Sequence, residues 1–213
     1  TTAAEYHDRY LAAFNADALM QGEWHTERDG RHLACALGVI GDDVDGPSKC
    51  PAQIMPRWLA QMVPTFFDKQ KQADAFAWGL AFTAELARIN GKVPFSVIHD
   101  WHANVVCPLG IASALFGGLN PEPDKALQAL HLRALAGEKI TEDEWRPVLR
   151  TAYAYDAYTY DADAYADAYA YAYAYADAYA DAYATDAYAR ACARACACAD
   201  ATAWKRLADG MVE

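Results

Sequence analysis

Apolar and polar positions follow two different rules along this chain, and the change falls near residue 150. Before it, apolar residues recur every three or four positions, the spacing that gives a helix one buried stripe. "EYHDRYLAAFNADAL" predicts a first helix on that pattern. "GRHLACALGVIG" is short and apolar and ends at the glycine and aspartates of "GDDVDGPSKC". Pro51 is placed to open a helix through "AQIMPRWLAQM", because a first turn needs no donor from proline, with Pro56 and Pro64 punctuating it. "ADAFAWGLAFTAELARING" gives the clearest helical pattern, with Phe76, Leu80, Thr83, Ala84 and Ala87 along one face and Asn90-Gly91 as its C-cap. "PFSVIHDWHANVVCPLGIASALFGGL" predicts one or two buried helices around Pro108 that end at Gly117-Gly118, and "DKALQALHLRALAGE" follows. Thr141 and Glu144 have capping-box spacing and start a helix through "EWRPVLR". Five or six helices with short links predict an all-α N-terminal domain over residues 1–150.

Beyond Arg150 the period changes to two. Across residues 164–184 alanine holds every even position and tyrosine or aspartate every odd one. A helix turns about 100° per residue, so a two-residue repeat would spray tyrosine around its circumference; a strand puts all the alanines on one face. One straight strand from Ala162 to Ala184 would run about 75 Å at about 3.3 Å per residue, so the chain must fold back. The expectation is an α+β protein in which residues 151–200 form a narrow, alanine-cored β-solenoid. Alternation slips at Tyr155-Asp156, Tyr160-Asp161 and Thr185-Asp186, which read as corners. Residues 201–213, with Trp204, Leu207, Met211 and Val212 on one helical face, form a C-terminal helix that caps the solenoid. The alternative is an all-α protein with a long Ala/Tyr-rich helix or helical hairpin, since alanine is the best helix former.

Composition sharpens the picture of the tract. Residues 151–200 contain 22 Ala, 12 Tyr and 8 Asp, including most of the 14 tyrosines of the chain. They carry −6 of a formal net charge of −11, so the repeat is also the acidic part of the molecule. That charge argues against nucleic acid or an anionic membrane as a direct partner. No apolar run reaches the length of a membrane span, and "TTAAEYHDRY" has neither the basic nor the apolar region of a signal peptide. Six cysteines without a CxxC pair fit a reducing compartment, with Cys35 and Cys107 as buried thiols, so a cytoplasmic location is expected. "RACARACAC" sets Cys192, Cys196 and Cys198 on the outward face of the strand reading.

"VPFSVIHDWHANVVCPL", "CPAQIMPRWLAQMVPTFFD", "AFAWGLAFTAELARINGKVPFS" and "LHLRALAGEKITEDEWRPVLR", followed by the Ala-x alternation, resemble a group of uncharacterised proteins from tailed-phage and actinobacterial genomes. The likeness covers nearly the whole chain. It implies a fixed alanine opposite a variable outward position, which favours period two, and a host cytoplasm if the chain is phage-encoded. No activity comes with it.

Chemistry has few homes in the sequence. There is no P-loop and no GxGxxG, and no cofactor is expected. The densest polar cluster is "HDWH": His99 and His102 lie one helical turn apart and share a face, which suits two ligands of one metal, with His32 or His131 as candidates for a third. The bland reading is that both imidazoles are core residues hydrogen-bonded to backbone or carboxylate. A Cys107 nucleophile paired with either histidine lacks anything to activate the thiol. "GDDVDG" resembles a calcium loop only faintly, lacking its twelve-residue pattern, and reads as a solvated acidic turn.

The more informative surface is the repeat. Tyr165, Tyr169, Tyr171, Tyr173, Tyr175, Tyr179 and Tyr183, with Asp167, Asp177 and Asp181, form one acidic, tyrosine-rich face in the strand reading. Tyrosine is enriched at binding surfaces. The expected function is a non-enzymatic binding or assembly module acting through that face, by self-association or by imitating nucleic acid toward a basic protein partner. The alternative is a metal-binding protein or metal enzyme that uses His99 and His102.

Overall fold

The computed structural model describes residues 1–155 and 202–213. Its described elements are helices α1 (Ala3–Asn15), α2 (Arg57–Lys69), α3 (Gln72–Arg88), α4 (Ser96–Trp101), α5 (Cys107–Phe116), α6 (Glu122–Leu135), α7 (Glu142–Tyr155) and α8 (Ala203–Val212), with one hairpin, β1 (His25–Arg28) and β2 (Arg31–Ala34). They fall into two compact units: Thr1–Val93 with Trp204–Glu213, and Pro94–Ala203.

In the first unit α1 is closed at its start by a capping box, in which Glu5 N–H donates to Thr2 Oγ1 and Thr2 N–H to Glu5 Oε2. Ala3, Tyr6 and Tyr10 form its buried stripe. Tyr10 lies against α3 at Gly79, where an added Cβ would stand 2.1 Å from the phenol oxygen, so only glycine lets the ring in. The buried face of α3 is Ala75, Trp78, Gly79, Phe82, Thr83 and Leu86. That is rotated from the expected Phe76, Leu80, Ala84 and Ala87, which are half-buried. The large rings decide the rotation. Trp78 stacks on Phe82 at 4.9 Å and meets Phe66 of α2 edge-on at 5.9 Å. The C-terminus of α3 closes as expected, with Asn90 and Gly91 at positive φ and Gly91 N–H donating to Leu86 O. Helix α2 begins at Arg57, after Pro56, rather than at Pro51, and runs through Pro64.

In the second unit, α4 and α5 form one run joined by a π-helical turn, His102–Val106. Cys107 N–H donates five residues back, to His102 O. Pro108 has no N–H to return to Asn104, so the ladder widens one step before it and resumes in α5. The run ends at Gly117 and Gly118, the latter at positive φ, with Leu119 N–H donating to Ala114 O. Helix α6 packs against α4, α5 and α7, and Ile98, Trp101, Val106, Leu127, Trp145 and Leu149 are its core neighbours and core. Helix α7 starts as the Thr141–Glu144 pair predicts, with Thr141 N–H donating to Glu144 Oε2 at 3.0 Å. That bond and then the Arg133 guanidinium hold the Glu144 carboxyl down to about 2.

The α+β architecture with an alanine-cored solenoid is overturned. Among the described residues the regular elements are helical apart from a single two-stranded hairpin, and no solenoid strand occurs among them. Thr151–Tyr155, the start of the alternating tract, continue α7 as helix. Nothing at Arg150 stops a helix that is already propagating, and alanine extends it at the lowest cost of any residue. The segment 1–150 is not all-α either, because of β1 and β2. The C-terminal helix caps no solenoid: α8 belongs to the first unit, where Ala208 O accepts from Trp78 Nε1 at 2.8 Å and Leu207 is fully buried. Residues 156–201, with Tyr165 to Tyr183 and the aspartates between them, lie outside the described residues. No helix among the described residues is long and apolar enough to cross a membrane.

Two substitutions test the packing. Gly79→Ala must displace the Tyr10 ring and is expected to lower stability by about 1–3 kcal/mol in urea denaturation. Phe116→Ser, at a side chain 96% exposed, should change it by less than about 0.5 kcal/mol.

Candidate metal centre

Histidines gather at two places in the described residues, one in each unit, and the two are built on opposite physical terms.

In the second unit His99 of α4, His102 of the π turn and His131 of α6 meet in the core with Trp145 of α7. His102 Nδ1 donates to Ile98 O at 2.8 Å, which fixes its tautomer because a carbonyl can only accept. His99 Nδ1 and His131 Nδ1 are 3.0 Å apart, so one ring donates and the other accepts. The His102 and His131 rings stack at 4.5 Å with 17° between planes, and His99 stacks on Trp145 at 5.9 Å. Imidazole lone pairs lie in the ring plane, so two stacked rings aim theirs along parallel sheets rather than at one point. The three rings pack as part of the core. Burial pushes His99 down to about 4. Of "HDWH" only Asp100 faces water, where it accepts from Asn104 Nδ2, while Trp101 is buried in the core.

The first unit carries the other set. The turn between β1 and β2 is Asp29-Gly30, both at positive φ, as a two-residue hairpin turn requires. That turn fixes a register pairing His25 with Ala34 and Glu27 with His32. Residues paired across a ladder share a face, as do residues two apart on one strand, so His25, Glu27 and His32 lie on one side of the hairpin. The chain then passes through a 3₁₀ turn, Gly38–Ile40, whose Gly38 is forced on it: a Cβ there would lie 2.2 Å from Trp24 O and 3.1 Å from His25 Cε1. The next turn, closed by Val44 N–H on Gly41 O at 2.9 Å, carries Asp42.

One donor atom from each of His25, His32 and Asp42 lies within 4.8 Å of the other two. His32 Nε2 and Asp42 Oδ1 are 3.5 Å apart. Two ligands bound to one zinc at 2.0–2.1 Å in a tetrahedron stand about 3.3 Å apart, so that pair is already near ligating distance. Each imidazole is also oriented from behind. Glu27 Oε1 lies 3.3 Å from His32 Nδ1, and Val44 O lies 3.2 Å from His25 Nε2. With Nε2 as the donor to that carbonyl, the lone pair of His25 is at Nδ1, a buried atom without a hydrogen-bond partner. A carboxylate or carbonyl on the far nitrogen of each ring is the usual outer shell of a metal-bound histidine.

Of the sequence candidates, His99, His102 and His131 come together and His32 stands in the other unit. His25 and Asp42 were missed. The signals were the Asp-Gly turn in "TERDGRHLA", which sets the register, and an aspartate in the acidic turn that follows. Cysteine chemistry gains nothing from the structure: burial raises Cys35 and pushes Cys50 up to about 12, away from thiolate.

His99 gives a pH prediction. Its folded value lies below its ordinary value of 6.5, so between the two the unfolded chain binds more protons and stability rises with pH. Stability present above 6.5 is lost as pH falls toward about 4, on the order of 3 kcal/mol from this group. Urea denaturation at several pH values should show that slope, and His99→Phe should remove its share of it. Comparison with protein families, with characterised proteins and with solved structures finds no match to this chain, so what the centre does is read from its own donors.

Proposed function

We propose that the protein binds a first-row transition metal ion, Zn(II) or a similar cation, through His25, His32 and Asp42. The observation that supports this most directly is the donor triad with an acceptor behind each imidazole. Two nitrogens and one carboxylate favour Zn, Fe, Ni or Cu over Mg or Ca, which take oxygen ligands. The hairpin supplies two ligands at fixed register and the Gly41–Val44 turn supplies the third, so binding ties β1, β2 and the following loop together.

Full-length protein equilibrated with Zn(II) and dialysed should retain one equivalent. His32→Ala and Asp42→Ala should each weaken binding tenfold or more. At free zinc a hundredfold above its Kd, unfolding should be opposed by about 2.7 kcal/mol more than without it. Retention that survives both substitutions would locate the metal elsewhere, for instance at Cys192, Cys196 and Cys198, and end this reading.

A second reading is a binding or assembly module that works through the acidic, tyrosine-rich repeat. Its support is the sequence: twelve tyrosines and a charge of −6 within residues 151–200, a combination suited to a basic protein partner or to self-association. Replacing Tyr169, Tyr171 and Tyr173 by serine should abolish self-association in sedimentation or capture of a basic protein partner while leaving helix content unchanged. Association that persists would reduce the repeat to a solvated surface.

A further inference from the structure

Three protein ligands do not fill a metal's coordination sphere, and the unfilled side of this centre has a shape. His32 and Asp42 both line an open cavity of about 330 Å³, together with Arg9 and Ala13 of α1. That volume is at the small end of ligand pockets. Arg9 and Ala13 are four residues apart and therefore share one face of α1. The Arg9 guanidinium is tethered, with Nη1 donating to Ile40 O, and it makes no ion pair among the described residues. A guanidinium presents paired donors, and one edge on a carbonyl leaves another for a planar oxyanion. The remaining walls are largely aliphatic: Ala18, Ala34 and Val39. Phosphate has no apolar part to set against methyl groups, whereas a short-chain carboxylate has both a planar anionic head and a tail.

Resting on the metal reading, we propose that the centre is open and takes a small aliphatic carboxylate, which coordinates the metal through one oxygen and is held by the Arg9 guanidinium. The aliphatic tail lies against the alanine and valine wall. No bond is made or broken in this step. The protein acts as a binder of short organic acids, and the metal supplies the charge that makes an otherwise acidic region, Asp42, Asp43 and Asp45, accept an anion.

Cobalt(II) in place of the native metal gives a direct readout, because its d–d absorption changes when a ligand enters the coordination sphere. Full-length protein loaded with Co(II) should show a saturable spectral change with butyrate and a much weaker one with inorganic phosphate. Arg9→Lys, which reaches nearly as far and keeps a donor for Ile40 O but lacks the paired guanidinium donors, should weaken butyrate severalfold with little change in Co(II) affinity. Ala13→Leu, which fills the cavity from the same helix face, should also exclude butyrate without loss of Co(II). Cobalt bound with no response to butyrate, or a response indifferent to Arg9→Lys and Ala13→Leu, would overturn the carboxylate while the metal centre stood. Failure of Co(II) to bind, or d–d bands that persist in His32→Ala, would bring down both.

Discussion

The first unit hangs on what one face of α1 does with its polar tips. Tyr6 and Tyr10 are fully buried, and a buried phenol without a partner costs as much as a lost hydrogen bond. Tyr6 OH donates to Ala36 O at 2.9 Å and Tyr10 OH to Phe76 O at 3.1 Å. The first bond pins the chain just after β2, and the second pins α3. Arg9, on the same helix, holds Ile40 O at the end of the 3₁₀ turn. One helix face thereby fixes both sides of the segment from which His32 and Asp42 project. The hairpin alone would be marginal, since two strands in water rarely hold together. Its far end is tied in as well, through Ala34 N–H on Ala18 O and Met20 N–H on Ala34 O, each at 3.0 Å.

The two histidine sets show how the surroundings of an imidazole decide its use. In the second unit the rings are buried among aromatic neighbours, where burial disfavours the charged form of His99 and a stack gives dispersion and packing. One hydrogen bond joins His99 to His131, and another joins His102 to a carbonyl within the same helical run. In the first unit the rings sit on the open face of a hairpin, half-buried at His25 and exposed at His32, beside a cavity and an aspartate. There each ring has an acceptor behind it, and His32 and Asp42 border the cavity. Proximity of histidines is common to both sets; in the first unit it comes with a carboxylate and a bordering cavity.

Most helices of the first 155 residues were legible because they bury one face against large neighbours, and a stripe of that kind survives in sequence as a period. Where the reading slipped, a single bulky or cyclic residue overrode the count. Trp78 and Phe82 turned α3 by about one position, and Pro56 stopped α2 from reaching back to Pro51. The repeat was read from its period alone. Yet its first residues follow a helix with a strong amphipathic pattern into Tyr155, so the propagation of an existing helix outweighed an alternation that had not yet found a partner strand. Strand patterning carries force only where a sheet exists to be joined.

The candidate metal centre was half legible for a related reason. Looking for ligands along one helix finds pairs three or four apart, which singled out His99 and His102. A hairpin joins residues at separations that depend on its turn, so His25 and His32, seven apart, show no fixed spacing of their own. Once Asp29-Gly30 is taken as the turn, the register follows without further information. Positions whose numbers sum to 59 oppose one another, which sets Glu27 against His32 and His25 one step diagonal to it. Two histidines and a carboxylate on one face are then implied by the sequence alone. The contribution that no local rule supplies is Asp42, because its place depends on α1 holding the loop through Ala36 and Ile40. Candidate ligands within a supersecondary unit are readable from turn chemistry; the candidate that closes the triad is set by tertiary packing.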